Sequence, residues 1–318
     1  MDEPATDPLR GIELPTALQR ARRPIPTPVL HALRGVARGY GSVTSSQRPL
    51  PDFLIIGAKK AGTSSLMNWL LHHPAVARMF PAPQRIKSPH YFDINYWRGP
   101  RWYASHFPTR AARHRQEQRL GGLTVVGEAS PYYMFHPAVP ARVAQSLPDA
   151  RVIVLLRDPV LRAYSNYWDR RAFGTEDLHT FEEAIEAEPR RLAGVDTDRL
   201  RNDPCYYSMH HDHHSYLARG RYAEHLRPWT EQVPQDNLLI LRAEDLFREP
   251  VETFDSVQRF LRLPVWVALE LPPYNRRAQP PIDTATRARL AEYYRPHNAA
   301  LYQLLGRDLE WERTYPRE

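Results

Sequence analysis

Short apolar runs alternate with helical patterns along most of this chain, and that alternation limits its fold more than any other feature. The runs that have the length and composition of buried strands are Phe53–Ile56, Thr124–Val126, Val152–Leu156 and Leu238–Leu241. Patterns with a helical period occur at Ser64–His72, Pro159–Phe173, Phe181–Glu188, Tyr222–Val233, Pro250–Leu261 and Thr286–Leu305. Strands that alternate with helices predict an α/β fold in which helices flank a central parallel sheet.

The chain divides into an N-terminal extension, residues 1–50, and a single domain, residues 51–318. The extension is rich in proline and arginine and has no strand-like run. Apolar residues from Val29 to Tyr40 fall at helical spacing within it, and we expect this helix to pack on its own domain rather than on a membrane surface or a partner. Residues 174–220, rich in His, Arg and Asp, are interpreted as a lid-like insertion.

Composition narrows the function classes. The net charge of +7 suits either an arginine-rich surface or a groove for anions such as a nucleotide, an acidic substrate, nucleic acid or a lipid headgroup. The single cysteine, Cys205, excludes an intramolecular disulfide and a cysteine zinc site. The acidic start does not resemble a signal peptide, and the apolar runs are too short to span a bilayer. We therefore expect a cytoplasmic protein.

A strand, a glycine-containing loop and the start of a helix follow one another at residues 51–66. The strand ends at Gly57, the loop runs to Gly62, and Thr63 and Ser64 open the helix. Such a turn presents free backbone N–H groups and the positive end of the helix dipole to a phosphate, and the two hydroxyls add donors. This segment therefore predicts a P-loop-like fold with a phosphate-binding loop.

A nucleotide kinase is the natural alternative for this loop. Gly57 and Gly62 have the spacing of a nucleotide-binding loop, and Ser64 stands where a magnesium-binding hydroxyl would be. However, Thr63 follows the second glycine where such loops have a lysine. Lys60 lies inside the loop instead, placed to reach a 5′-phosphate oxygen and its bridging atom without a metal.

A second phosphate element follows the third apolar run. Arg157 ends the strand, Asp158 can cap the next helix, and Pro159 suits its first turn. Ser165 comes eight residues after the arginine. A charged guanidinium fork and a hydroxyl can together hold a phosphate monoester, so this pair predicts a site for a second phosphate.

Together these elements resemble the family of sulfotransferases that use 3′-phosphoadenosine-5′-phosphosulfate (PAPS), particularly its bacterial and heparan-sulfate-type branches. The loop from Lys60 to Ser64 is similar to the family's 5′-phosphosulfate loop, and the arginine–serine pair to its 3′-phosphate motif. Segment 219–229 resembles the one whose aromatic residue contacts the cofactor, and the basic residues at 275–277 match a loop over the 3′-phosphate. The resemblance implies cofactor contacts from Lys60, Ala61, Gly62, Thr63, Ser64, Arg157, Ser165, Tyr222, Arg276 and Arg277.

The function that this resemblance implies is transfer of a sulfuryl group from PAPS, without a metal, to a hydroxyl or amine. The acceptor would be a glycan, a glycolipid or a small-molecule metabolite. A metal-dependent kinase is one alternative. A non-enzymatic binder of anions or nucleic acid is another, but the sequence lacks a stripe of interleaved aromatic and basic residues, and we expect no nucleic-acid partner. Membrane contact through the N-terminal extension is possible but not expected.

The predicted catalytic residues are Lys60 and His90. Lys60 would stabilise the bridging oxygen of the leaving phosphate. Segment 86–93 resembles a family segment in which a glutamate is the base, but here Ser88 stands at that position, and a neutral serine cannot replace a carboxylate. His90 lies two residues on and has an intrinsic pKa near neutrality.

Other readings of the base remain open. His90 can be a structural residue, with the base supplied by Glu128, Asp169 or His136. Ala129 is a second departure, since related enzymes often have a lysine there, and the two departures weaken the prediction of a strict heparan-type acceptor. The His-rich run 210–214 invites a metal interpretation, but a polar segment facing substrate or solvent is favoured.

Overall fold

A parallel sheet of five strands lies at the centre of the computed structural model, which describes residues 27–81, 87–267, 270–274 and 278–314. The strand order is β2-β3-β1-β4-β5, and every pairing is parallel. The strands are β1 (Phe53–Gly57), β2 (Val76–Ala77), β3 (Val125–Ala129), β4 (Arg151–Leu156) and β5 (Leu238–Arg242). The predicted α/β fold with a central parallel sheet is confirmed.

Helices cover the sheet and carry the connections between its strands. In the described residues the α-helices are α1 (Thr27–Val43), α2 (Thr63–Leu70), α3 (Gly99–Ala104), α4 (Arg110–Leu120), α5 (Val139–Ser146), α6 (Pro159–Ala172), α7 (Phe181–Ala193), α8 (Thr197–Asn202), α9 (Met209–His213), α10 (Tyr222–Gln232), α11 (Ala243–Arg248), α12 (Pro250–Phe260) and α13 (Thr284–Leu305). All six predicted helices are present, with ends that differ by a few residues.

Two differences from the predicted strands concern β2 and β3. The two residues of β2 are too few to give a periodic signal, and no strand was predicted there. Strand β3 begins one residue later than predicted and continues to Ala129, so Glu128 lies within the sheet. Gly127 permits this because the ring of Phe53 on β1 occupies the space that a Cβ would need.

The carboxyl ends of β1, β3 and β4 meet at one edge of the sheet. Phe53 pairs with Gly127 on one side and with Arg151 on the other, so the three strands run in step. The loops that follow them therefore lie side by side, which is where open α/β sheets bind their ligands. This edge brings the predicted phosphate loop and Arg157 together.

Helix α1, within the N-terminal extension, packs on the domain. Arg38 donates to the Phe80 carbonyl (Nη2–O, 2.7 Å), and a Cβ on Gly41 would lie 2.9 Å from the Ser105 carbonyl oxygen. Arg48 is 4% exposed and its guanidinium covers the ring of Phe80. Among the described residues, no helix combines the length and the apolar content needed to cross a bilayer.

The insertion at 174–220 contains α7, α8 and α9 and has buried anchors. Thr180 and Glu183 form a capping box at the start of α7. The Glu176 carboxylate is buried and accepts two hydrogen bonds from Arg191 (2.6 and 2.9 Å) and one from Tyr216 (2.7 Å). These contacts lie within the insertion. It is joined to the rest of the domain by two hydroxyls, since Tyr167 donates to the Leu178 carbonyl at 3.1 Å and Tyr294 donates to the Leu217 carbonyl at 2.9 Å. Its role as a lid stays a prediction.

Candidate active site

The phosphate loop joins β1 to α2 with little freedom in its path. Gly62 caps α2 in the left-handed region (φ 93°), and a Cβ there would lie 2.9 Å from Leu246 Cδ2. Both the backbone angle and the close contact require glycine. Ala61 and Thr63 on either side are buried. The loop therefore places the start of α2 directly after the carboxyl end of β1, and the N-terminus of a helix at such a position can bind an anion.

Lys60 is paired with a carboxylate from α6. Its Nζ lies 2.7 Å from Asp169 Oδ1, and Arg170 contacts the other oxygen of Asp169 at 2.6 Å. Burial would raise the pKa of Asp169, but Lys60 and then Arg170 outweigh it and lower this pKa to about 2. An aspartate that stays ionised in this way is a poor proton acceptor at neutral pH, which disfavours Asp169 as the base.

Lys87 is a cation of this site that the sequence reasoning missed. Its Nζ donates to Ser64 Oγ at 2.6 Å, at the start of α2. In the described part of the chain no carboxylate lies within ion-pair distance of it. Burial, and next the charge of Lys60, lower the pKa of Lys87 to about 8. A half-buried ammonium beside this loop, with no described carboxylate within ion-pair distance, makes Lys87 a candidate residue for binding an anion. The sequence signal that could have pointed to Lys87 was its position three residues before His90.

Lys59 faces the insertion instead. Its Nζ contacts the backbone oxygen (3.1 Å) and Oδ1 (3.2 Å) of Asp212 on α9. Arg219 donates to the same two atoms at 2.7 and 3.0 Å. Burial lowers the pKa of Lys59 to about 7, although Asp212 opposes the shift. This network joins the phosphate loop to the insertion across 153 residues of sequence.

Arg157 lies directly after β4, next to the phosphate loop. Its Nη1 donates to the Lys60 carbonyl at 3.0 Å, and none of the described carboxylates is within ion-pair distance of its guanidinium. Asp158 accepts from two N–H groups of α6, as predicted for a cap. Ser165 is half-buried nearly two turns into that helix. Arg157 thus stabilises the backbone of the loop, and its guanidinium has further N–H groups that can donate to a ligand.

Tyr222 occupies a different kind of position from the other predicted cofactor residues. It is fully buried, its hydroxyl donates to the Arg157 carbonyl at 2.8 Å, and its ring packs on Trp311. Here it supports the backbone of Arg157, and a direct contact with the cofactor stays a prediction. Arg276 and Arg277 lie outside the described residues.

His90 is held from two sides. Its Nδ1 lies 2.9 Å from Asp93 Oδ2 and 3.1 Å from Ser130 Oγ, and Ser130 donates to the same aspartate oxygen at 3.0 Å. When Nδ1 carries the proton and donates it in a hydrogen bond to Asp93, Nε2 is the atom that can accept a proton. Burial would lower the pKa of His90, but the Asp93 carboxylate outweighs it and raises this pKa above the usual value. About a third of its side chain is exposed (33%), so a substrate can reach it.

The other two alternative bases are less accessible. Glu128 is 0% exposed, and its carboxylate accepts hydrogen bonds from Ser88 (2.6 Å), Tyr103 (2.6 Å) and Tyr133 (3.0 Å). Burial raises the pKa of Glu128 to about 7 against these donors. His136 is 3% exposed, and burial lowers its pKa to about 4. Neither group can touch an acceptor directly, so the geometry favours His90.

The His-rich run 210–214 is engaged with neighbouring side chains and backbone. His211 Nδ1 lies 2.8 Å from the Tyr132 hydroxyl, and His214 Nε2 lies 2.7 Å from the Thr175 carbonyl. No group of three or more His, Cys, Asp or Glu side chains suited to a metal ion occurs in the described segments. The run therefore contributes to the packing of α9 against the site.

Comparison with known proteins agrees with this geometry. A family model described as "Sulfotransferase domain" matches residues 50–270. The chain belongs to this sulfotransferase family. Human heparan sulfate glucosamine 3-O-sulfotransferase 3B1 is 29% identical over 84% of this chain, and human bifunctional heparan sulfate N-deacetylase/N-sulfotransferase 2 is 30% identical over 81%. The matches cover 66% and 30% of those relatives' own lengths.

A solved bacterial structure has the same fold. The sulfotransferase from Alicyclobacillus acidocaldarius is 27% identical, with a TM-score of 0.59 over 83% of this chain and 99% of its own. These findings confirm the predicted sulfotransferase family and give no support to the kinase alternative. The two human relatives bear names for N- and O-sulfation, so both acceptor types occur among similar proteins.

Proposed function

We propose that this sulfotransferase transfers a sulfuryl group from PAPS to a hydroxyl or amine of a glycan. The observation that carries this proposal is the meeting of two anion-binding elements at one strand edge, where the phosphate loop and Arg157 are joined by the 3.0 Å contact to the Lys60 carbonyl. PAPS carries a 3′-phosphate in addition to its 5′-phosphosulfate, whereas ATP and AMP have no 3′-phosphate. The glycan acceptor is proposed from the names of the human relatives.

The side chains at this edge fit PAPS. Lys87 and the N–H groups that open α2 would hold the 5′-phosphosulfate, with Ser64 and Thr63 as hydroxyl donors. Arg157 and Ser165 would hold the 3′-phosphate. None of these contacts needs a metal, and we propose that the enzyme works without one. When bound, PAPS supplies the sulfuryl group and a phosphate leaving group.

The chain's own residues would act mainly through position and charge. Lys60 would exchange its contact with Asp169 for the oxygen that gains charge as the sulfuryl group leaves. His90 Nε2 would take the proton of the acceptor, and Asp93 would stabilise the imidazolium that forms. A base of this kind is worth about 10²–10⁴-fold in rate. The cytoplasmic location stays a prediction.

The test is transfer of label from ³⁵S-PAPS in the absence of metal. Acceptors would be an N-acetylated glucosamine polysaccharide, its N-unsubstituted form, a glycolipid and a phenol. Label on a polysaccharide supports the proposal, and the two forms separate hydroxyl from amine transfer. Label only on the phenol or the glycolipid would refute the glycan acceptor. No transfer to any acceptor, together with no binding of adenosine 3′,5′-bisphosphate, would refute the whole assignment.

A further inference from the structure

We infer that Ser88 is a positioning residue for His90, anchored on the buried carboxylate of Glu128. The inference rests on the proposed function, since it concerns the group that we propose as the base. Ser88 stands where the resembling enzymes have a glutamate. The structure gives this serine two hydrogen bonds that together fix the backbone of His90.

The backbone of His90 is in a conformation that needs support. Its φ of 50° lies in the left-handed region, which few residues other than glycine adopt. The N–H of His90 donates to Ser88 Oγ at 3.0 Å. Its carbonyl accepts from the N–H groups of Asn95 (2.9 Å) and Ile94 (3.3 Å). A strained conformation at a functional site persists only where neighbouring contacts hold it, and Ser88 supplies the contact at the N–H.

Glu128 determines which way the Ser88 hydroxyl points. The hydroxyl donates to Glu128 Oε2 at 2.6 Å, while Tyr103 and Tyr133 donate to Oε1. Both tyrosines are buried, as is Glu128, so this carboxylate has little room to turn. With its proton committed to Glu128, the serine presents a lone pair to the N–H of His90.

The backbone N–H and the ring of His90 are therefore both connected to the end of β3. The backbone is linked through Ser88 to Glu128, and the ring is linked through Asp93 to Ser130, two residues further along the chain. A glutamate at position 88 would place a second carboxylate against Glu128. The serine avoids that repulsion and leaves proton transfer to His90.

The test is a double-mutant cycle between Ser88 and His90. We expect Ser88→Ala to lower kcat by roughly tenfold or more, with KM for PAPS and affinity for adenosine 3′,5′-bisphosphate within about twofold of wild type. Ser88→Thr keeps the hydroxyl and should restore most of kcat. In a His90→Ala background, Ser88→Ala should cost no more than about twofold further, because a residue that acts through His90 loses its effect with it.

Three outcomes would overturn the inference. The first is wild-type kcat in Ser88→Ala. The second is a full further loss of kcat in the His90→Ala background, which would make Ser88 an independent proton relay to Glu128. If the alanine variant does not fold, Ser88→Cys, whose side chain is of similar size to serine, can replace it in the same kinetic measurements. Glu128→Gln keeps an oxygen for Ser88, so the acidic limb of the pH–rate profile should remain, and its loss would also overturn the inference. Failure of the proposed function is distinct, since wild type would then transfer no sulfuryl group.

Discussion

The affinity of the protein for adenosine 3′,5′-bisphosphate should fall as the pH rises from 7 to 9. Lys87 is the reason, because burial and the nearby charge of Lys60 lower the pKa of its ammonium group to about 8. An anion bound beside Lys87 favours the charged form, so above that pH binding is coupled to the uptake of a proton from the solution by Lys87. Affinity must then decrease as the solution becomes more basic.

The size of the effect follows from this pKa. If the bound state keeps Lys87 charged throughout, Kd should rise about tenfold between pH 7 and pH 9, or about 1.4 kcal/mol. Lys59 has a lower pKa, about 7. If Lys59 supplied the charge instead, the same pH range would give a rise of about fiftyfold. The magnitude therefore separates the two lysines.

Isothermal titration across this pH range, without metal, measures the effect. Lys87→Arg is the matched control, because arginine stays charged and its complex should keep a nearly constant Kd up to pH 9. The Lys87→Met variant should bind adenosine 3′,5′-bisphosphate weakly at pH 7, and its affinity should fall little further up to pH 9. A tenfold rise in Kd between pH 7 and pH 9 that persists in Lys87→Arg would refute the placement of Lys87 at the ligand.

Further predictions concern catalysis and stability. Lys60→Ala should lower kcat by about 10²–10³-fold while affinity for adenosine 3′,5′-bisphosphate changes little, as steady-state kinetics and titration would show. Deleting residues 1–50 should lower Tm in a thermal melt, because Arg48 is buried there, without changing flotation with anionic liposomes. Burial would raise the pKa of Glu176, but Arg191 and other donors outweigh it and lower this pKa to about 2. Its contribution to stability should therefore be full above about pH 4.5 and fade towards pH 2. Glu176→Gln should flatten that part of a Tm-versus-pH curve.

Local sequence signals were sufficient for four of the five strands and for the strand–loop–helix path at residues 53–70. Apolar runs the length of strands mark β1, β3, β4 and β5, because buried parallel strands are apolar on both faces. The helix cap at Asp158 also follows from the residue type that comes directly after a strand. The short β2 gave no such signal, since two residues have no measurable period.

Contacts between distant segments could not be predicted from the sequence. Lys59 meets Asp212 across 153 residues, and Ser88 meets Glu128 across 40. The sequence suggested that a serine at position 88 removes the base. The structure shows that it is hydrogen-bonded to a carboxylate buried behind it, which only the register of β3 against the 87–93 segment reveals.

The most direct test of the PAPS site is a comparison of two nucleotides by isothermal titration without metal. We propose that Arg157 and Ser165 bind a 3′-phosphate that AMP lacks, and a hydrogen bond from a charged guanidinium to a phosphate is strong. We predict that adenosine 3′,5′-bisphosphate binds much more tightly than AMP, and that Arg157→Ala removes most of the difference. Equal affinity of wild type for the two nucleotides would contradict a site built for PAPS.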